Sequence, residues 1–135
     1  MKRLSLVTIT TCLVLCTLSL GPRAVADSCV DDARVELEAK YLHAFGDGAI
    51  IQGPESISAI ERTSLVKMAA CSYCPQKAFG YMNAEWMKFK DAMRTGDCVV
   101  FFRSDRTSWN ELKGVEGYGL MRKGKLIVEL IVSVS

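Results

Sequence analysis

The chain has 135 residues, 17 Lys and Arg against 15 Asp and Glu, a formal charge of +2 and half its residues apolar, which allows one ordinary folded domain. Its basic excess sits at the start: Lys2, Arg3 and Arg23 fall within the first 26 residues, and the other 109 hold 14 basic and 15 acidic side chains. Overall charge therefore gives no support to a nucleic-acid or anionic-lipid partner.

Residues 1–26 read as a secretory signal peptide. Lys2 and Arg3 form the basic start, Leu4 to Leu20 is uncharged and largely apolar, and Ala24, Val25 and Ala26 supply small residues for cleavage before Asp27. The 17-residue apolar run is just short of the roughly 18 to 20 residues that span a bilayer. Thr8, Thr10, Thr11 and Thr17 dilute it, and Gly21-Pro22 breaks any helix before the cut. Cys16 does not read as a lipid-attachment site, because Leu13, Val14 and Leu15 before it are bulky. The expectation is a single exported domain over residues 27–135, periplasmic or secreted, with no membrane span once the signal is removed.

Within that domain, Asp27 or Ser28 is placed to cap a helix in which Val30, Ala33, Leu37, Tyr41 and Ala44 follow helical spacing, stopped by Gly46 and Gly48. Residues 49–52 form a short apolar piece before a Gly53-Pro54 turn. From Glu55 to Ala70 no clean apolar side emerges, and the β-branched content predicts a strand. Cys71 to Met82, with Pro75 and Gly80, reads as irregular. Asn83 then caps a helix carrying Trp86, Phe89 and Met93 on one face, ended by Gly96-Asp97. Strands follow at Cys98–Arg103 and Gly117–Arg122, with a Ser108-capped turn of helix between them over Trp109–Leu112. Lys123-Gly124 makes a tight turn into a last strand from Lys125. The fold class is α+β, two amphipathic helices packed on an antiparallel sheet and stapled by disulfides.

The last strand places Leu126, Val128, Leu130, Val132 and Val134 on one face and Ile127 and Ile131 on the other. Two apolar faces predict a central strand covered by the two helices. The alternative is an edge over residues 126–135 that self-associates or takes a partner by strand addition.

From Gly96 onward, Gly96-Asp97, Phe101, Ser108-Trp109, Leu112, Gly114, Gly117-Tyr118, Arg122, Gly124-Lys125 and Ile127 resemble the ending of small uncharacterised bacterial exported proteins. The likeness covers roughly the last 40 residues. It implies an exported domain ending in a hairpin and brings no activity with it. Its glycines read as positions of backbone freedom and Trp109 as packing over the sheet.

Cys12 and Cys16 leave with the signal, so Cys29, Cys71, Cys74 and Cys98 remain as disulfide candidates, in any of three complete pairings. Cys71-Ser72-Tyr73-Cys74 is also a CxxC, the spacing of a reversible redox pair, although Pro75 and Gly80 argue against the long following helix that a thioredoxin-like site requires. A zinc site from the four cysteines, or with His43 replacing one, has only one closely spaced ligand pair and would compete with oxidation. The single histidine, His43, reads as a helix-end residue, and Asp31, Asp32 and Glu116 as capping or surface carboxylates. Lys88, Lys90 and Arg94, and Arg122, Lys123 and Lys125, read as solvated faces. No metal and no cofactor are expected. The functional expectation is a non-enzymatic domain that binds a protein or envelope component; the alternative is a thiol–disulfide protein using Cys71 and Cys74 as its catalytic pair.

Overall fold

A computed structural model describes residues 22–42 and 44–135; His43 and residues 1–21, the greater part of the signal peptide expected over 1–26, lie outside the described residues. In chain order these form α1 (Pro22–Lys40), β1 (Ile50–Gln52), α2 (Ile57–Ala69), a 3₁₀ turn (Gly80–Met82), α3 (Asn83–Asp91), β2 (Cys98–Arg103), α4 (Arg106–Asn110), β3 (Val115–Arg122) and β4 (Lys125–Val134). The four strands make one antiparallel sheet in the order β1-β2-β3-β4. This is the expected α+β class, with one more sizeable helix than the sequence predicts.

The period-2 alternation of a strand divides the core between the two sheet faces. Val100 and Phe102 of β2 meet Cys29, Ala33 and Leu37 of α1 on one face. Val99 of β2 and Leu120 of β3 meet Ile60 of α2 and Trp86 and Phe89 of α3 on the other. Tyr41, Phe45 and Phe102 form a ring cluster with centroids 5.8–6.4 Å apart. That cluster accounts for α1 ending at Lys40, well before Gly46: the chain leaves the helix to lay Phe45 on the sheet. At its other end α1 starts at Pro22, where a proline suits a first helical position. Asp27 and Ser28 are thus interior residues of α1 and do not cap it.

Residues 57–69 are helical, not extended. Ser56 accepts a hydrogen bond from the Ala59 amide (3.2 Å), a side-chain N-cap, and Ile60 and Ser64 are buried one turn apart. Ala59, Glu61, Arg62, Leu65, Lys67 and Met68 are strong helix formers that outweigh the β-branched residues among them. Glu61 then ties α2 to α3, accepting at one carboxylate oxygen from Trp86 Nε1 (2.9 Å) and Lys90 Nζ (2.7 Å).

Two cap assignments also shift. Asn83 is the first residue of α3 and its side-chain amide donates to the Ala78 carbonyl (2.8 Å), so it fixes the preceding turn. Asp105, not Ser108, caps α4, accepting from the Ser108 amide (2.8 Å). Gly114 and Gly117 do not adopt positive φ. A Cβ at Gly114 would lie 2.4 Å from the Trp109 ring and one at Gly117 2.3 Å from the Leu130 carbonyl, so close approach, not backbone freedom, demands glycine at both.

β4 pairs only with β3 and lies at the sheet edge, where the sequence predicts a central strand. Its two apolar faces are explained by helices on both sides: Leu126 and Ile131 pack toward α1, and Val128, Leu130 and Val132 toward the α2 and α3 side. Leu126 is on the opposite face from Val128 because the register skips Ile127, and a second skip occurs at Val132. Bulges of this kind twist an edge strand and interrupt its template for further pairing.

The basic side chains read as solvated are partly engaged. Lys125 pairs with Glu36 of α1 (2.7 Å). Arg122 donates to both carboxylate oxygens of Asp97 (2.8 and 2.7 Å) and to the Ala92 carbonyl (2.9 Å), joining β3 to the segment after α3. These hydrogen bonds from Arg122, helped by the Arg94 amide and opposed by burial, hold the Asp97 carboxyl down at about 2. A depressed carboxyl stabilises the fold above its ordinary range and loses that contribution as pH falls from near 4 through 2. The urea midpoint should therefore drop across pH 4 to 2, and Asp97→Asn should be less stable than the parent at pH 5 with a flatter profile in that window. Parallel profiles for the two proteins would show that Asp97 is not the group responsible.

Candidate binding cleft

Each cysteine pair is local to one side of the sheet. Cys29 of α1 is bonded to Cys98 of β2, a staple between helix and sheet across 69 positions. Cys71 is bonded to Cys74, three positions on, in the turn after α2. The four thiols thus form two separate pairs and not one ligand set, and no three His, Cys, Asp or Glu side chains among the described residues are grouped to hold a metal ion. The CxxC follows the carboxyl end of α2, where helix carbonyls give a negative potential; a thiolate-activating site uses the amino end.

The Met68 carbonyl at that end helps to fix the turn. The Cys71 amide donates to the Met68 carbonyl (3.0 Å), and Gln76 Nε2 bridges the carbonyls of Met68, Cys71 and Cys74 at 3.0–3.4 Å. Tyr81 donates its hydroxyl to the Tyr73 carbonyl (2.9 Å), yet both tyrosine side chains are largely in solvent, Tyr73 84% and Tyr81 79% exposed. A small turn thus presents two large amphipathic side chains outward.

Beside this turn is a cleft of about 250 Å³. One wall is α2, contributing Thr63, Ser64, Lys67 and Met68. Phe79 and Met82 form the second, and Glu116, Tyr118 and Val132 of the sheet form the floor. Phe79 is the key placement. Its backbone is left-handed at φ 59°, a conformation uncommon for an aromatic residue. The conformation persists because its amide donates to the buried Ser64 hydroxyl (2.6 Å) and its ring rests on Trp86 (4.9 Å between centroids) and edge-on to Tyr118 (5.8 Å). Gly80 also has positive φ (52°), and a side chain there would strike the Met68 sulfur. Aromatic and thioether surfaces therefore line a recess whose shape is fixed from behind.

The cleft has an uneven charge. Glu116 is paired across the strands with Arg103 (3.4 Å), whereas Lys67 makes no ion pair among the described residues. Burial, reinforced by Glu55 and Glu116, raises the Tyr118 phenol above its ordinary range, so it stays neutral at physiological pH. Larger depressions elsewhere are more open. The one around Asp105, about 480 Å³, has that carboxylate accepting from the Gly46 amide (2.8 Å), the Ser108 amide (2.8 Å) and the Ser108 hydroxyl (3.1 Å).

Of the residues singled out from sequence, Glu116 lines the cleft and Cys71 reaches its Met68 only through a backbone hydrogen bond, while Cys74, Cys29, Cys98, Asp31 and Asp32 are not among its lining residues. The sequence pattern does not bring Met68, Phe79, Met82 and Tyr118 together, because it predicts a strand where α2 forms. The available signal was Ser56 before Ile57, Ile60, Ser64 and Met68, a cap followed by spacings of three and four. No protein-family model matches this chain, and neither a curated protein nor a solved structure is significantly similar to it.

Proposed function

We propose that the protein is an exported, non-enzymatic binding domain that engages a protein or envelope component through the cleft between α2 and the sheet and the two tyrosines beside it. The observation that carries this reading is the combination of a preformed recess lined by Met68, Phe79, Met82 and Tyr118 with solvent-facing Tyr73 and Tyr81 on a pinned turn. Tyrosine is enriched where proteins meet because it offers large area at low entropy cost, and methionine accommodates varied partners. Export fits the two disulfides and the signal-like start. Among the described residues no helix is long and apolar enough to cross a membrane. Cleavage after Ala26 leaves Asp27 as the first residue, two positions before the bridge that anchors α1 to β2.

A photocrosslinking amino acid at position 81 tests this in secreting cells. The exported protein should begin at Asp27 by intact mass and give discrete adducts from position 81, but not from position 35, an exposed site on α1. Met68→Arg should abolish those adducts while the fold is retained. Equal labelling from both positions, or none from 81, would remove the cleft from consideration.

The thiol–disulfide reading is supported by one observation, that Cys71 and Cys74 are bonded to each other and not to the staple. Against it stands the carboxyl-end placement of the motif. The binding reading uses the same disulfide as a clasp that keeps the tyrosines in place.

A further inference from the structure

We infer that the cleft recognises the carboxyl-terminal residue of a peptide, with an apolar last side chain between Met68, Phe79 and Tyr118 and the terminal carboxylate against Lys67. This rests on the binding reading above and gives the chemistry of its ligand.

Size comes first. At about 250 Å³ the recess falls below the roughly 300 Å³ at which pockets for drug-sized ligands begin, which suits one residue and not a whole cofactor. Its charge is next. Glu116, which also lines the recess, is paired with Arg103, so the ammonium of Lys67 is the lining charge left without an ion pair, beside the apolar surfaces of Met68, Phe79 and Met82, and is complementary to a carboxylate on an apolar group. At this end of α2 the Val66 carbonyl accepts from Ala70 and that of Met68 from Cys71 and Gln76, which lessens their repulsion of an anion held by the Lys67 ammonium. Thr63, one turn before Lys67 on the same wall, adds a hydroxyl.

The surroundings favour a peptide over a free organic acid. Tyr81 directly precedes Met82 of the cleft wall and holds the Tyr73 carbonyl, so exposed aromatic surface continues outward from the recess. A free acid would leave that surface unused, whereas the residues preceding a peptide terminus would lie along it. Strand addition at β4 contributes less, because the register skip at Val132 breaks the edge where it meets the cleft.

Titration of the ¹⁵N-labelled protein with N-acetyl-leucine, N-acetyl-leucinamide, hexanoate and a hexapeptide ending in leucine tests the inference. N-acetyl-leucine should shift the Met68, Phe79 and Tyr118 amides saturably in the millimolar range. The amide should bind about tenfold more weakly, as the loss of one charge-assisted hydrogen bond implies. Lys67→Gln, an exposed helix-surface change, should produce the same tenfold loss for the acid and none for the amide, and Lys67→Arg should restore binding. The hexapeptide should bind at least tenfold tighter than N-acetyl-leucine. Equal binding of acid and amide, or no site-selective shift at all, would overturn the inference. A hexapeptide no tighter than hexanoate would overturn it in favour of a free acid. Adducts at position 81 alongside any of these failures would leave the binding reading standing with a different ligand; loss of both would end it.

Discussion

Removing the Cys29–Cys98 bridge as Cys29→Ala/Cys98→Ala should cost about 4 kcal/mol and lower the thermal midpoint by roughly 20 °C. The bridge spans 69 positions and joins the first helix to a strand that neighbours it only in the folded state, so its loss releases the denatured chain over more than half the domain. A domain of this size has about 5 to 15 kcal/mol in total, so the double variant should be marginal at 37 °C. The Cys71–Cys74 bridge closes a loop of only three positions, so Cys71→Ala/Cys74→Ala should cost about 2 kcal/mol or less by the same loop-entropy relation. Graded glutathione with alkylation gives the parallel readout: Cys29 is 7% exposed and should stay bridged where the Cys71–Cys74 turn opens. Similar losses for the two double variants would show that the staple does not act through the denatured chain. Rapid, reversible exchange of Cys71–Cys74 with an exported dithiol partner, and loss of the cellular function in the variant, would instead bring the thiol–disulfide reading forward.

The second half of the chain was the more legible. Cys98–Arg103 is a strand with the predicted bounds, and the Lys123-Gly124 turn has both residues at positive φ (49° and 76°), as a two-residue hairpin requires. In these segments local preference and tertiary packing agree: Asp97 holds Arg122, and Gly114 makes room for Trp109. Elsewhere the two disagree. In α2 only Ile60 and Ser64 are buried, because the helix lies at the margin of the core, so there is little apolar stripe to read and Ile57, Thr63 and Val66 suggest a strand. β4 shows the reverse case: helices on both faces give an edge strand the apolar character of a central one. The cleft was illegible for a related reason. Its lining comes from four stretches between Thr63 and Val132, and Phe79 enters through a left-handed backbone that no local pattern announces.

Trp86→Ala should be the most damaging single substitution on the cleft side, about 4 kcal/mol, because it empties a fully buried indole site at the centre of that core. Packing is one component: the indole stacks on Phe89 (5.5 Å) and supports Phe79 (4.9 Å). The other is the hydrogen bond to Glu61, which Lys90 shares. Trp86→Phe separates them, keeping most of the ring contact while removing the donor, and should cost less than the alanine change. A double-mutant cycle with Glu61→Gln should show coupling above about 0.5 kcal/mol if the indole donor holds α2 to α3. Lys90 and the indole donor lower the Glu61 carboxyl, so the coupling should fade as acidification protonates that carboxyl. The cleft makes the same residue a test of function. Phe79 has Trp86 behind it and the ligand recess in front, so Trp86→Phe, still folded, should weaken N-acetyl-leucine binding without altering its preference for the acid over the amide. Lys67→Gln should do the opposite, leaving stability unchanged and erasing that preference. One substitution would then report on the wall of the cleft and the other on its charge.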